Sequence, residues 1–423
     1  MSDPLSRRDF LRRAGGGAAA LVASGYVLRT WERAAPAAAD VATPAAGTLP
    51  SIPGRTLVVL ELSGGNDGLN TLVPHADPAY HQLRPTLGVT EPIDLDGQVG
   101  LHPSLTRLAA RYHAGQVAVV EGLGYTPPDL SHFGSLEVWW TAQRPDGSPG
   151  WLGSYLDATV GYEDPLAAIG LGGQPAPALL GQQSFATTID DASGLQPRPP
   201  RWTGSTDTLV SSWSGFAPAR IDTRPLVGQV ERAVSLTAKA RDRLDQVLSP
   251  SAAPTPRSQA GGAYTASTVV DSLTLAAQLI KSPLAPRVVY VNGVGDFDVH
   301  EGEAQRQPAL LSDVDQGIEA LFTGLGSAAD GVVLMTTSEF GRRVAENGSG
   351  TDHGTANVHF LVGPHVKGGR YGEPPSLTQL DANGNLVPSI DFRSHLATGL
   401  GWLGVTDTHP VLGASFSPVP ALT

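Results

Sequence analysis

The chain has 423 residues, 41% hydrophobic and 16% charged, a balance that can fill a sizeable core and fits a globular protein better than a disordered or fibrous one. Forty acidic residues against 28 basic ones give a formal net charge of −12, which excludes a general nucleic-acid binder. With no cysteine, disulfides, thiolate nucleophiles, iron–sulfur clusters and cysteine-ligated zinc are excluded, so any metal must be held by oxygen and nitrogen.

Residues 6–12 read SRRDFLR, and a Gly/Ala-rich apolar stretch follows from Ala14 to Leu28. That stretch is too short and too weakly hydrophobic for a membrane span, while Ala37, Ala38 and Ala39 offer the small residues signal peptidase prefers. Residues 1–39 are therefore read as a removable twin-arginine signal that sends the protein to the periplasm, cell envelope or medium, with an uncleaved anchor or an ordinary basic helix as the alternatives. No later stretch reads as a membrane span. Residues 40–54, rich in Ala, Pro and Thr, read as a flexible linker.

Folding is expected to start at residue 55. Near-continuous apolar runs at 56–62, 117–120, 288–291, 332–336 and 359–362 have the character of parallel strands covered on both faces. Helical periodicity falls between them at 104–113, 131–141, 151–160, 227–247, 266–280, 308–323 and 392–403. The alternation predicts a three-layer α/β/α, doubly wound, mostly parallel sheet, with ligands at the strand carboxyl ends. Residues 55–423 are read as one domain, with insertions around 162–225 and 249–262 where Gly, Pro and Ser accumulate, and a tail from Thr406 that wraps the surface.

Chemistry-bearing residues gather after the strands. SGGNDGLN at 63–70 turns sharply after the first run and brings Asp67 to the sheet edge, either as a ligand or as an Asx turn. DLSHFG at 129–134 opens a helix at Ser131, which can cap it or, beside free amides and the helix dipole, act as a nucleophile. Asp296, Asp298 and His300 follow the strand at 288–291, and Glu339, Asp352 and His353 follow the one at 332–336. Carboxylates mixed with imidazoles suit a divalent cation such as zinc or manganese, with calcium also open. The alternative is a polar turn at 352–353, with Glu339 paired to Arg342 or Arg343.

Taken together, GGNDGLNTLVP, LHPSL, SHFG, FDVH, SEFGRR, GTDHGTANVHFLVGPHVKGGRYG and the twin-arginine start resemble the bacterial family called domain of unknown function 1501, over about Leu57 to Leu403. That family is related in fold to the alkaline phosphatase and sulfatase superfamily, so the resemblance implies an α/β/α core with a site for one or two metal ions. It implies Asp67 as the acid after the first strand, Ser131 as nucleophile, Asp296 with His300 as an acid/His pair, and Asp352 with His353 as the dipeptide ligand. For the last histidine it leaves His395, His359 and His365 open, and the family's usual acid before the histidine corresponds to Asp298 rather than Asp296.

The resulting expectation is an exported metal-dependent hydrolase acting on phosphate or sulfate esters, with a small anionic ester or glycan-linked substrate. Ser131 would attack, and His102 or His132 would hold the anion or leaving group. The alternative is a non-enzymatic cell-envelope protein that binds a glycan or an assembly partner on the same fold.

Overall fold

The computed structural model describes residues 46–161, 163–172, 175–189, 191–192, 225–248, 268–293 and 295–423. The expected signal, the first six residues of the expected linker, most of the expected insertion at 162–225 and all of that at 249–262 lie outside these residues. The described end of the linker lies against the domain: the Thr48 and Leu49 amides donate to the Ala158 carbonyl at 3.0 and 3.3 Å, and the Ile52 amide to Leu403.

Fourteen strands are present among the described residues. In chain order they are β1 (Thr56–Glu61), β2 (Leu72–Val73), β3 (Ile93–Asp94), β4 (Gly100–Leu101), β5 (Val117–Gly124), β6 (Ala168–Leu171) and β7 (Thr187–Ile189). There follow β8 (Val288–Val291), β9 (Val332–Thr337), β10 (Arg342–Glu346), β11 (Thr351–His353), β12 (Asn357–Val362), β13 (Gly369–Tyr371) and β14 (Ile390–Asp391). Nine of them form the central sheet in the order β13-β5-β12-β9-β1-β8-β6-β7, with β14 also on β5. All its pairings are parallel except those of β12, which runs antiparallel to both β5 and β9.

Alternation along the central strands explains the three layers. Val58 and Leu60 of β1, Val289 and Val291 of β8, and Val332 and Leu334 of β9 join one apolar cluster, beneath the helices Thr106–His113, Val269–Lys281 and Glu303–Leu325. Their neighbours Leu57, Val59, Val288, Tyr290, Val333 and Met335 join the other, beneath Trp151–Thr159 and Phe392–Trp402. Both faces of each strand are thus buried, and each fully covered Val or Leu contributes about 1.5–3 kcal/mol of transfer free energy.

The five expected strands and seven expected helices form, with shifted ends. The largest shift is the helix expected at 308–323, which begins at Glu303 and carries Pro308 inside it. No strand was expected between 162 and 225, yet β6 and β7 extend the sheet beyond β8. Their three- and four-residue lengths leave too little periodicity to read.

Three loops at the carboxyl edge meet here: residues 62–67 after β1, 295–302 after β8 and 338–341 after β9. Gly64 makes the first two touch. It has φ of +111°, and a Cβ there would stand 2.4 Å from the Asp298 backbone nitrogen, so any side chain would push the loops apart. The Phe297 amide then donates to the Ser63 carbonyl at 2.9 Å.

Candidate metal centre

The FDVH segment sets the centre. Phe297 and Val299 are buried at 1% and 0% exposure, so in this extended stretch Asp298 and His300 project to the other side together. β10 and β11 form a hairpin in which Arg342 and His353 are cross-strand partners, and the helix His132–Thr141 begins with His132 beside them.

These elements converge on the Asp298 carboxylate. Its Oδ1 lies 3.1 Å from His300 Nε2 and 3.2 Å from His353 Nε2, and these two nitrogens are 2.9 Å apart. Its Oδ2 lies 3.4 Å from His132 Nε2. Arg342 Nη2 donates to Oδ1 at 2.8 Å and also to the Gly64 and Phe297 carbonyls, while Nε and Nη1 of that fully buried side chain donate to the carbonyls of Gly65 and Thr351. Burial alone would raise the Asp298 pKa, but the hydrogen bond and charge of Arg342, with the His353 and His132 rings beside it, outweigh burial and bring it to about 2.

Each imidazole has its Nδ1 committed elsewhere. His132 Nδ1 is 2.9 Å from Glu339 Oε1, His353 Nδ1 is 2.8 Å from the Leu130 carbonyl, and His300 Nδ1 is 3.3 Å from Asp352 Oδ1. These acceptors require Nδ1 to carry the hydrogen, so the network assigns the neutral tautomer whose Nε2 is a lone pair. Three lone pairs then face one carboxylate, an arrangement that repels itself unless a cation sits among them. Protonating all three rings would instead set three imidazoliums and a guanidinium against the carboxylates of Asp298, Glu339 and Asp352, leaving positive charge in excess. The bond to Glu339 raises the His132 pKa against the effect of burial, whereas burial lowers that of His353.

The donor set fits a metal ion. His132, Asp298 and His353 each offer a ligand atom, all within 4.8 Å of one another, the one such group found among the described residues. The triangle of Asp298 Oδ1, His300 Nε2 and His353 Nε2 has edges of 2.9 to 3.2 Å, close to the edge of about 3.3 Å expected for a tetrahedron with bonds of about 2.0–2.1 Å.

Other expected site residues lie elsewhere or take other partners. Asp67 is fully buried and held by Arg84 through two ionic hydrogen bonds, with Nη2 to Oδ1 at 3.0 Å, and its Oδ1 also caps the short helix Gly68–Thr71 through the Leu69 amide. Asp296 pairs with Arg306 at 2.9 Å at the surface. His395 is buried, its Nε2 on the Thr336 carbonyl at 3.0 Å and its ring stacked on His359. His102 accepts the Ser104 amide through Nδ1 at 3.0 Å. Glu339 faces His132 and the Gly64 amide, not Arg342. Asp352 reaches the centre only through His300. Ser131 is exposed at the N-cap of the helix that carries His132, and its side chain makes no capping bond.

Sequence reasoning did not find Arg84 and Arg342 as the cations that neutralise Asp67 and Asp298; they lie 17 and 44 positions from their partners, and no local spacing marks them. His132 was read as an anion-holding group, and only its contact with Asp298 places it among candidate ligands.

A family model described as Protein of unknown function (DUF1501) matches residues 54–401. The chain belongs to the DUF1501 family. No curated protein matches this DUF1501 chain. Among solved structures it is similar to a protein in the alkaline phosphatase superfamily from Vibrio parahaemolyticus, at 10% identity over 88% of this chain and 71% of that one, with a TM-score of 0.39. It is also similar to the C-terminal periplasmic domain of EcEptC from Escherichia coli, solved with Zn, at 11% identity over 76% of each chain and a TM-score of 0.38. A sulfatase-titled structure from Bacteroides thetaiotaomicron shares 11% identity over 86% of this chain and 76% of that one, with a TM-score of 0.33.

Proposed function

We propose that this DUF1501 chain is an exported, metal-dependent hydrolase of phosphate or sulfate esters. The observation that carries the proposal is the convergence of His132, His300 and His353 Nε2 on the Asp298 carboxylate with each Nδ1 already committed. In this reading Asp298, His353 and His132 hold a divalent cation, zinc or manganese by donor type, with His300 against the same carboxylate oxygen. Such an ion, when bound, polarises the ester oxygens and neutralises developing negative charge.

The chain's own groups supply the rest. Ser131 stands one residue before His132 at a helix start, solvent-exposed and free of a capping bond, so its Oγ is the available nucleophile. Oγ, giving up its proton, would form a bond to phosphorus or sulfur as the bond to the ester oxygen breaks and that oxygen takes up a proton to leave as the alcohol; water would then add to the same centre, breaking its bond to Oγ and returning a proton to the serine. Glycan-linked esters are within the expected substrate class.

A second reading is favoured by one pair of contacts. Arg84 satisfies Asp67, and Arg342 already pairs with Asp298, as expected of a non-enzymatic envelope protein that keeps the fold for binding or assembly. Elemental analysis of the mature protein, followed by a panel of aryl phosphate and sulfate esters, separates the two. Bound zinc or manganese with turnover that disappears in Ser131→Ala supports the hydrolase; no metal and no turnover favours the binding protein.

A further inference from the structure

The geometry points to Glu339 as a positioning residue that orients His132 rather than as a ligand in its own right, an inference that rests on the metal-centre reading above. Glu339 follows β9 at the carboxyl edge and is buried. It meets the helix His132–Thr141 at three places. Its Oε1 receives His132 Nδ1 at 2.9 Å, while its backbone carbonyl receives Ser135 Oγ and, at 2.9 Å, Trp139 Nε1. Positions 132, 135 and 139 are spaced by three and four, so they lie on one face of the helix. A single residue therefore fixes the rotation of the helix through its backbone and the plane of the His132 ring through its side chain.

The side chain is itself held. Oε1 also accepts the Gly64 amide at 2.8 Å, so the atom that receives His132 is anchored to the loop touching Asp298. With Nδ1–H held by Glu339, His132 can present only Nε2 to Asp298, where it stands 3.4 Å from Oδ2. An acceptor on the far nitrogen of a ligating imidazole fixes its tautomer and raises its basicity. The division of labour between carbonyl and carboxylate makes the inference separable from folding. Substituting the side chain leaves the carbonyl that holds Ser135 and Trp139.

The test uses the mature protein and zinc alone. Glu339→Ala is expected to weaken zinc binding by about 10- to 100-fold in competition with a chromophoric chelator. Glu339→Gln keeps an oxygen for both the Gly64 amide and His132, and is expected to restore most of that loss. If Gln loses as much zinc affinity as Ala, Glu339 is a ligand and the inference fails; if Ala loses none, Glu339 has no role in binding.

A second measurement needs no metal. Nitrogen-15 spectra of histidine-labelled apoprotein under alkaline conditions, with His132 assigned through His132→Asn, should show the Nδ1–H tautomer in the wild type and in Glu339→Gln, and its loss in Glu339→Ala. An Nε2–H wild-type ring would overturn the assignment. Absence of zinc binding by the wild type, with the Nδ1–H ring present, would sink the metal-centre reading while leaving Glu339's hold on His132 intact.

Discussion

Arg84 and Asp67 lie face to face in the interior, both side chains closed off from solvent, with Nη1 on Oδ2 and Nη2 3.0 Å from Oδ1. Arg84 also reaches the carbonyls of Val344 and Arg343 at 2.9 Å, so the pair ties the loop after β1 to β10. Removing one partner of such a pair strands the other without solvent, at a cost of about 3–5 kcal/mol. Arg84→Leu should therefore lower the urea midpoint sharply. Asp67→Asn should destabilise as well, yet leave zinc stoichiometry unchanged in whatever folded fraction is purified.

The centre predicts an order among its acids. Asp298→Asn removes the carboxylate that three imidazoles and Arg342 share, and bound metal should fall to background on elemental analysis. Asp352→Ala removes only the acceptor behind His300 Nδ1, and should weaken retention during dialysis without abolishing binding. Equal losses in the two variants would contradict the geometry.

Glu303 gives a pH dependence of stability. It lies beside Asp67, with Oε1 accepting Asn70 Nδ2 at 3.1 Å and Oε2 accepting Thr351 Oγ1 at 2.8 Å. Burial and the neighbouring Asp67 charge push its carboxyl up from 4.5 to about 9. Between those values the folded chain keeps a proton that the unfolded chain has released, so this contribution is complete below 4.5 and fades as pH rises through about 9. Glu303→Gln mimics the protonated form. Its melting temperature should fall less than the wild type's between neutral pH and about pH 9.

On the acid side the buried imidazoles dominate. Burial holds His359 well below its usual range and brings His395 to about 4, whereas the unfolded chain takes up these protons near 6.5. Here the unfolded state binds more protons, so the contribution is present above 6.5 and is lost as pH falls toward 4. Both His359 ring nitrogens lack a hydrogen-bond partner. His359→Phe should therefore retain or raise stability at neutral pH and flatten the decline on acidification, read from thermal melts at pH 7 and about pH 5.

The central fold was legible because its strands are buried on both sides: Thr56–Glu61 and Val332–Thr337 read as continuous apolar runs, and both form. The short strands β6 and β7, of four and three residues, were not legible, since they carry no period of their own. Within the centre, the sequence pattern of FDVH carries part of the geometry, because alternation alone puts Asp298 and His300 on one side once Phe297 and Val299 are buried. What could not be read was which acids already had a cation. Asp67 and Asp298 look alike in sequence, each an acid in a glycine-containing stretch that follows an apolar strand. Their difference lies in the depth of Arg84 and in the number of imidazoles nearby, and both are properties of packing between distant segments.

Arg342 has a consequence for what could share the centre. Its guanidinium offsets the Asp298 carboxylate, and the Glu339 and Asp352 carboxylates lie behind the His132 and His300 rings, so a dication seated there would keep surplus positive charge on its open face, in a place only partly open to water. A tetrahedral oxyanion would cancel that surplus. Metal and phosphate should accordingly bind synergistically, each tightening the other by the same factor, and zinc should survive dialysis better in phosphate than in chloride.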